Sequence, residues 1–359
     1  MAAAVENLRV EISRIRKVDV KHPVIAVKFL GENVAFVLGE EQVVLVTPAE
    51  HQISAAAHAG AILCAAKTAD QEILTGGDDG RVVLTSASGS TRVIATDGKR
   101  RWIDAVASMG GTVFAWSAGR QVYLSTPQKE ALSMEVPSTV TGLAFGPDST
   151  LAIAHYGGVT LWSPHDPSAP EQRLEYKGSH VDVCFSPSGN FLVTRMREPA
   201  IHAWRLRDQR EMPMHGYAVR VQSVDWTFGG KWLASSGSRY LVLWPFEQAE
   251  NPLSGVPILL AGYRAEATVV SCHPREDIVA VGYADGLVLL IRIEDESEIL
   301  IKQAGASAVS ALAWNAEGNS LAIACGDGVG RIVNFAELGG ATLEAPYLGT
   351  EHQPLQRTG

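Results

Sequence analysis

The chain has 359 residues, of which 46% are hydrophobic and 19% charged, so it carries enough apolar material for one large core or a series of small ones. Thirty basic residues against 39 acidic ones leave a net charge of −9. That balance disfavours a generic binder of phosphate backbones, which would need a local basic patch. No apolar run approaches the ~18 residues of a membrane-spanning helix. The opening "MAAAVENLRVEISRIRK" lacks a basic start followed by an apolar stretch, so no secretory leader is expected.

In chain order, "LRVEISRIRKVDV" (8–20) reads as one isolated strand. A trio of short strands follows, and the phrase "LTGGDDGRVVLTSASG" (74–89) then shows how such strands are joined: two apolar runs flank a Gly-Asp reversal. "VGYADGLVLLIRIED" (281–295) and "IACGDGVGRIVNF" (323–335) are variations on it. The aspartates of these turns, Asp78 or Asp79 in the first, are expected to hydrogen-bond the turn backbone. The clearest whole units are 140–164, 181–208, 221–247 and 309–335. Each has an alternating strand ending in an aromatic, a turn such as "SPSG", an apolar strand, a second turn and a third strand. Strands of this length between such turns, with no helical period, predict an all-β fold.

The apolar position closing each first strand falls at Phe29, Ala66, Ser108, Phe145, Phe185, Trp226, Cys272 and Trp314, at intervals of 37, 42, 37, 40, 41, 46 and 42 residues. A period of this size marks a repeat architecture. Between the units lie seven candidate outer strands, "QISAAAH", "TRVIATDG", "ALSMEVP", "EQRLEYKG", "EMPMHG", "PILLAGY" and "EILIKQ". The eighth must come from 8–20, which closes the ring and removes its open edges. The expected fold is a single eight-bladed propeller of four-stranded antiparallel blades over 8–336, with 337–359 as a flexible tail. The alternative is seven blades, with 22–50 outside the ring.

The period near 40, the "SPSG" and "GDDG" turns and a third-strand Trp resemble the WD-repeat β-propeller family over nearly the whole chain. The signature is eroded. Trp162-Ser163, Trp204-Arg205 and Trp244-Pro245 stand where the family has Trp-Asp, and five units lack the Trp. The Gly-His pair survives loosely around His58, His180 and His215, so the resemblance implies an incomplete hydrogen-bond network between strands. It also implies a non-catalytic scaffold. Eight-bladed propellers include quinone-dependent dehydrogenases, but those are larger and carry a docking motif in each blade that is missing here.

The search for chemistry is negative. "GNSLA" (318–322) has the look of a nucleophile elbow, yet Ser320 opens a strand where an elbow needs a helix to follow. The ten histidines are scattered, without HExxH or paired metal spacing. No cofactor or metal is expected. Cys64, Cys184, Cys272 and Cys325 stand apart inside apolar runs and read as buried free thiols, in keeping with a reducing cytoplasm.

In a propeller the fourth-to-first and second-to-third connections share one face, here called the top. Sorting charges by connection places Arg81, Arg100, Arg101, Arg120, Arg195, Arg197, Arg220, Arg239 and Arg264 there, alongside Asp78, Asp79, Glu198, Glu266, Asp285 and Asp327. The bottom receives Glu32, Asp70, Asp148, Asp166, Asp208, Glu250, Glu276, Asp277, Asp295, Glu296 and Glu317, with Lys231, Arg210 and Arg275. Tyr176, Tyr217 and Tyr263 precede the first strands of units five, six and seven by the same offset, and Trp102 and Arg220 stand immediately before those of units three and six. Arg, Tyr and Trp are the side chains that anchor interfaces. The expected site is therefore Arg101, Trp102, Tyr176, Arg195, Arg197, Tyr217, Arg220, Arg239, Tyr263 and Arg264, holding a partner protein or peptide, preferably acidic. Competing readings are a small-ligand or enzyme-subunit site at the channel mouth and a phosphate or nucleic-acid reader.

Overall fold

The structure, a computed structural model, describes residues 10–126, 129–163, 171–246 and 256–338. The chain opens with β1 (Val10–Asp19). The first sheet follows, from β2 (Val24–Leu30), β3 (Asn33–Leu38), β4 (Gln42–Val46) and β5 (Gln52–Ala56). The second holds β6 (Ile62–Lys67), β7 (Ile73–Gly77), β8 (Arg81–Thr85) and β9 (Thr91–Thr96). The third holds β10 (Val106–Met109), β11 (Val113–Ala118), β12 (Gln121–Thr126) and β13 (Lys129–Glu135). A six-stranded sheet comes next, with β14 (Val140–Phe145), β15 (Leu151–Trp162), β16 (Gln172–Phe185), β17 (Phe191–Met196), β18 (Ile201–Arg205) and β19 (Arg210–Met214). Then come β20 (Val224–Trp226), β21 (Trp232–Ser235), β22 (Leu241–Pro245) and β23 (Ile258–Leu260), followed by β24 (Ala267–Cys272), β25 (Ile278–Tyr283), β26 (Val288–Arg292) and β27 (Glu298–Lys302). The last sheet joins β28 (Val309–Trp314), β29 (Ser320–Cys325) and β30 (Val329–Leu338) to β1. All strand pairs are antiparallel, and the one helical turn among the described residues is a 3-10 turn at Phe228–Gly230.

The sheets number seven, the count of the alternative, and not eight separate blades. The cause lies in the fourth and fifth sequence units, which share the six-stranded sheet. β15 holds both middle strands of unit four: 151–155 pair with β14, whereas 158–161 pair with the first part of β16. Its reversal is tight. Gly157 and Gly158 take φ of 91° and 144°, and His155 Nε2 meets Thr160 Oγ1 at 2.9 Å, where five extended residues would set the two roughly 16 Å apart, so the chain folds back between them. β16 then continues unbroken from the outer strand of unit four into the first strand of unit five, where His180 to Phe185 pair with β17. Residues 22–50 lie within the ring as part of the first sheet, not outside it. Each of the eight repeat positions, from Phe29 to Trp314, sits on the first strand of its unit; six of the seven candidate outer strands lie at a sheet edge, and the seventh, 171–178, is the fourth strand of unit four inside the six-stranded sheet.

Closure is by β1, which pairs with β30 from Val10↔Leu338 to Asp19↔Val329. The alternation of β1 turns Val18 inward, and Val20 follows it into a cluster with Val24, Phe36, Ala322 and Ile332, so the first and last sheets share one core. Similar apolar clusters fill each gap around the ring. Since no alternation is needed on the middle strands, whose two faces are both covered, these read as continuous apolar runs such as "NVAFVL". Of the expected tail 337–359, residues 337 and 338 extend β30 and pair with β1, and the rest lies outside the described residues.

Candidate interaction surface

The top face is a set of interlocked turns. Each second-to-third connection leans on the connection entering the same or the next unit: the Gly39 N–H donates to Pro23 O, Asp78 N–H to Ala61 O, Ile103 N–H to Gly77 O and Ala284 N–H to Glu266 O. The turn aspartates act as the sequence suggests. Asp79, Asp285 and Asp327 each accept the N–H two residues on, from Arg81, Leu287 and Val329 at 3.0, 3.2 and 3.1 Å. Asp79 also accepts from Ala59 N–H and meets His58 Nδ1 at 2.9 Å, while His58 Nε2 meets Thr75 Oγ1. Burial alone would raise the Asp79 carboxyl, but these hydrogen bonds outweigh it and hold its pKa below the ordinary value.

The same inter-strand network recurs with different residues. His180 Nδ1 meets Thr194 Oγ1 at 2.8 Å. In unit six the exposed His215 takes no such part. Tyr217 replaces it, pairing with Ser235 Oγ at 2.7 Å and accepting from Trp244 Nε1 at 2.7 Å. This overturns the placement of Tyr217 on the surface: it is a buried structural residue whose hydroxyl burial pushes up to about 12. The offset that singled it out is the one His58 holds in unit two.

The other expected site residues separate into those the fold employs and those it leaves free. Tyr176 is half-buried, stacked on the buried His202 ring at 3.6 Å between centroids. Tyr263 packs edge-on to Tyr283 and donates to Asp285 at 2.9 Å. The three tyrosines therefore do not gather at the channel mouth. Arg101 is clamped by Asp97 at 2.6 Å and reaches Ala118 O and Tyr123 Oη. Arg264, although exposed, contacts Asp285 at 3.4 Å. Arg81 and Arg120 also have carboxylate neighbours, Asp79 and Glu135.

Arg195 lies on β17 opposite Asp182 of β16, whose Oδ2 accepts from its Nε at 3.1 Å and its Nη2 at 2.7 Å. Its Nη1 donates to Gln222 O of the next unit at 2.6 Å. Beside it stand Arg220, exposed at the entry to β20, and the exposed Arg197. Among the described residues neither Arg197 nor Arg220 forms an ion pair. Partial burial first, then the charges of Arg195 and Arg197, lower the pKa of Arg220, which places three guanidinium groups within mutual influence. Arg195, Val219, Arg220 and Gln222 line a pocket of about 390 Å³. Arg239 is exposed two residues before β22 begins.

Trp102 is 61% exposed, the condition an anchoring aromatic requires. Two further exposed aromatics on the same face, Tyr156 and Tyr240, escape a reading based on the entry to first strands. Both sit in second-to-third hairpins, "HYGG" and "GSRY", and an aromatic in such a turn is the signal that would have found them.

Residues 270–342 match the Anaphase-promoting complex subunit 4 WD40 domain family, and residues 208–245 match the WD domain, G-beta repeat family. These matches, on a ring of antiparallel sheets, support a divergent WD-repeat propeller. Protein groucho of Drosophila melanogaster is 24% identical over 111 residues, 30% of this chain but only 15% of the groucho length. The crystal structure of the computationally designed Ika8 protein superposes with a TM-score of 0.72 at 17% identity, covering 88% of this chain and 97% of that one, which speaks to the fold alone.

The bottom of this WD-repeat propeller is acidic in part only. Asp208 is held by Arg205 at 2.5 Å and Asp295 by Arg292, so both carboxyls sit well below their ordinary range. Asp166 and Glu250 lie outside the described residues. Through the middle runs a channel of about 930 Å³ lined by the first strands. Asp225 faces it with both oxygens engaged by backbone N–H groups of Trp226 and Cys272. Ser320, the elbow candidate, accepts from Asn334 Nδ2 at 2.7 Å as part of its strand, without a histidine partner. Among the described residues no cluster of His, Cys, Asp and Glu is arranged to hold a metal ion, and no helix is long and apolar enough to cross a membrane.

Proposed function

We propose that this propeller is a non-catalytic scaffold that binds an acidic segment of a partner protein on its top face, across the boundary between units five and six. WD-repeat propellers commonly serve as protein-interaction scaffolds, and a rigid ring of sheets presents its turns with little entropy left to lose on binding. The observation that carries the reading is the Arg195–Arg197–Arg220 group. The fold employs Arg195 and leaves the other two unanswered, and like charges held together without a counter-ion are stabilised by an anionic partner. Exposed Trp102, Tyr156 and Tyr240 supply apolar area on the same face.

The test is capture of binding proteins from native extract by the wild type and by Arg220→Glu. The variant should lose the captured partner, with affinity falling by about 2 kcal/mol or more because an attraction becomes a repulsion, while its melting temperature stays put. Reversing Glu276 and Asp277 on the bottom should leave capture intact. Equal losses from both faces would sink the assignment.

A further inference from the structure

We infer that the pocket of Arg195, Val219, Arg220 and Gln222 takes a doubly charged phosphate monoester, presented as a phosphorylated side chain on an extended segment of the partner protein. This rests on the scaffold reading above and specifies the chemistry of its ligand. The charges decide between the two kinds of anion a protein segment can offer. Arg195, Arg197 and Arg220 bring three positive charges against one carboxylate, Asp182, in contact with the group. Glu198 follows Arg197 in the chain, but its carboxylate lies beside Gly178 and influences His180. A glutamate or aspartate side chain would leave this group under-neutralised. A phosphate monoester, carrying about −1.5 to −2 near pH 7, would match it.

Geometry points the same way. Arg195 is already fixed, with Nε and Nη2 on Asp182 and Nη1 on the Gln222 carbonyl, so little freedom remains to be lost when its outer N–H groups engage an oxygen. Arg220 and Arg197 are free to close as forks, and three phosphate oxygens can accept from several guanidinium groups at once, where a carboxylate has two. At about 390 Å³ the pocket has room for a phosphate and its carrying side chain, and the part-exposed Val219 forms an apolar wall for the carrier. Exposed Tyr240 lies in the second-to-third turn of the same unit, where residues flanking the phosphate can pack.

The experiment is binding of the full chain to arrays of degenerate peptides carrying a central phosphoserine, with matched Ser and Glu arrays. Inorganic phosphate and phenyl phosphate serve as competitors. Phosphopeptides should be retained at least about tenfold better than their Glu counterparts, and Arg220→Gln or Arg197→Gln should each remove about that factor without moving the melting temperature. Retention should rise from pH 5 to pH 7, across the second ionisation of phosphate near pH 6, a window in which Glu peptides stay constant. Equal retention of Glu and phosphoserine arrays would overturn the phosphate assignment and leave the acidic-segment scaffold standing. If phenyl phosphate alone binds as tightly as any phosphopeptide, the ligand is a free phosphoanion and the peptide source is wrong. If neither array binds and capture from extract ignores Arg220, this inference and the scaffold reading fall together.

Discussion

Removing residues 1–20 should unfasten the ring. β1 supplies the outer edge of the last sheet through nine paired positions along β30. Two of the side chains lost, Val18 and Val20, are 2% and 5% exposed and sit in the core shared by the first and last sheets. Burying a Val is worth roughly 1.5–3 kcal/mol, so this pair alone accounts for about 3–6 kcal/mol. The ladder adds about 0.5–1.5 kcal/mol per hydrogen bond. Against a typical domain stability of about 5–15 kcal/mol, the loss removes most of the margin, and the bared edge of β30 becomes a template for other chains. Urea unfolding followed by tryptophan fluorescence should show the drop in midpoint, and light scattering after size exclusion should show association. Point variants separate closure from the general harm of truncation. Val18→Ala should cost about 2 kcal/mol, from two buried carbons and the space they leave. Ile15→Ala, on the same strand but 51% exposed, should stay within about 0.5 kcal/mol. A truncated chain that unfolds at the wild-type midpoint and stays monomeric would refute the reasoning, as would equal costs at positions 15 and 18.

Three further outcomes are expected. His202 is buried against Tyr176 and Trp204 with neither ring nitrogen hydrogen-bonded, and burial, then the neighbouring His180 and His215, push its pKa from 6.5 to about 3; the unfolded state therefore binds the extra proton between those values, stability rises with pH across that window, and the step from pH 7 to pH 5 should cost the wild type about 2 kcal/mol more than His202→Phe, as measured by urea titrations at each pH. Tyr217→Phe strands Trp244 Nε1, while Ser235 Oγ keeps its bond to Val242 O, and should lower stability by about 1–3 kcal/mol, with the folded far-ultraviolet spectrum retained. Thiol titration should find four free cysteines in denaturant and little reaction in the native protein, since burial pushes Cys64 and Cys184 up to about 12 and raises Cys272 and Cys325 as well; detection of a disulfide would contradict this.

The repeat was legible because it is written in short-range terms: a turn needs Gly, Asp or Pro at particular places, and a strand covered on both faces needs an apolar run. That is why all seven outer strands and the closing strand could be located from spacing alone. Sheet count was not legible. Whether two neighbouring units separate or fuse depends on how tightly the chain reverses at Gly157-Gly158 and whether it passes straight from 176 to 180, and both are consequences of backbone geometry in three dimensions. The tyrosines show a second limit. Tyr217 stands four residues before Val221 as His58 does before Ile62, and both face Thr or Ser on the neighbouring strand; in unit five that bond is made by His180, four residues past Tyr176, which holds the offset. The same spacing thus marks a hydrogen bond inside the fold in unit six and a stacked ring in unit five, and by itself it marks no surface.

The arginines can be sorted by that lesson. Those whose charge is answered by a carboxylate on the same face, Arg81, Arg101, Arg120, Arg195 and Arg264, hold turns and strands in place. The sequence could not separate them from the others, because the answering acids stand anywhere from 2 to 21 residues away and meet them only through hairpin register. Arg100, Arg197, Arg220 and Arg239 make no ion pair among the described residues, so replacing them should leave the folded chain nearly as stable as before. A residue that the fold does not require, held beside like charges that raise its energy, is where binding can gain most from an anion. Arg220 meets both conditions, beside the fixed Arg195 and within reach of the charge of the unpaired Arg197. Arg100 and Arg239 meet the first alone. The top face is therefore not a uniform basic rim: among its unpaired arginines, those between units five and six act on one another's charge, and that is where the proposal places a partner's negative charge.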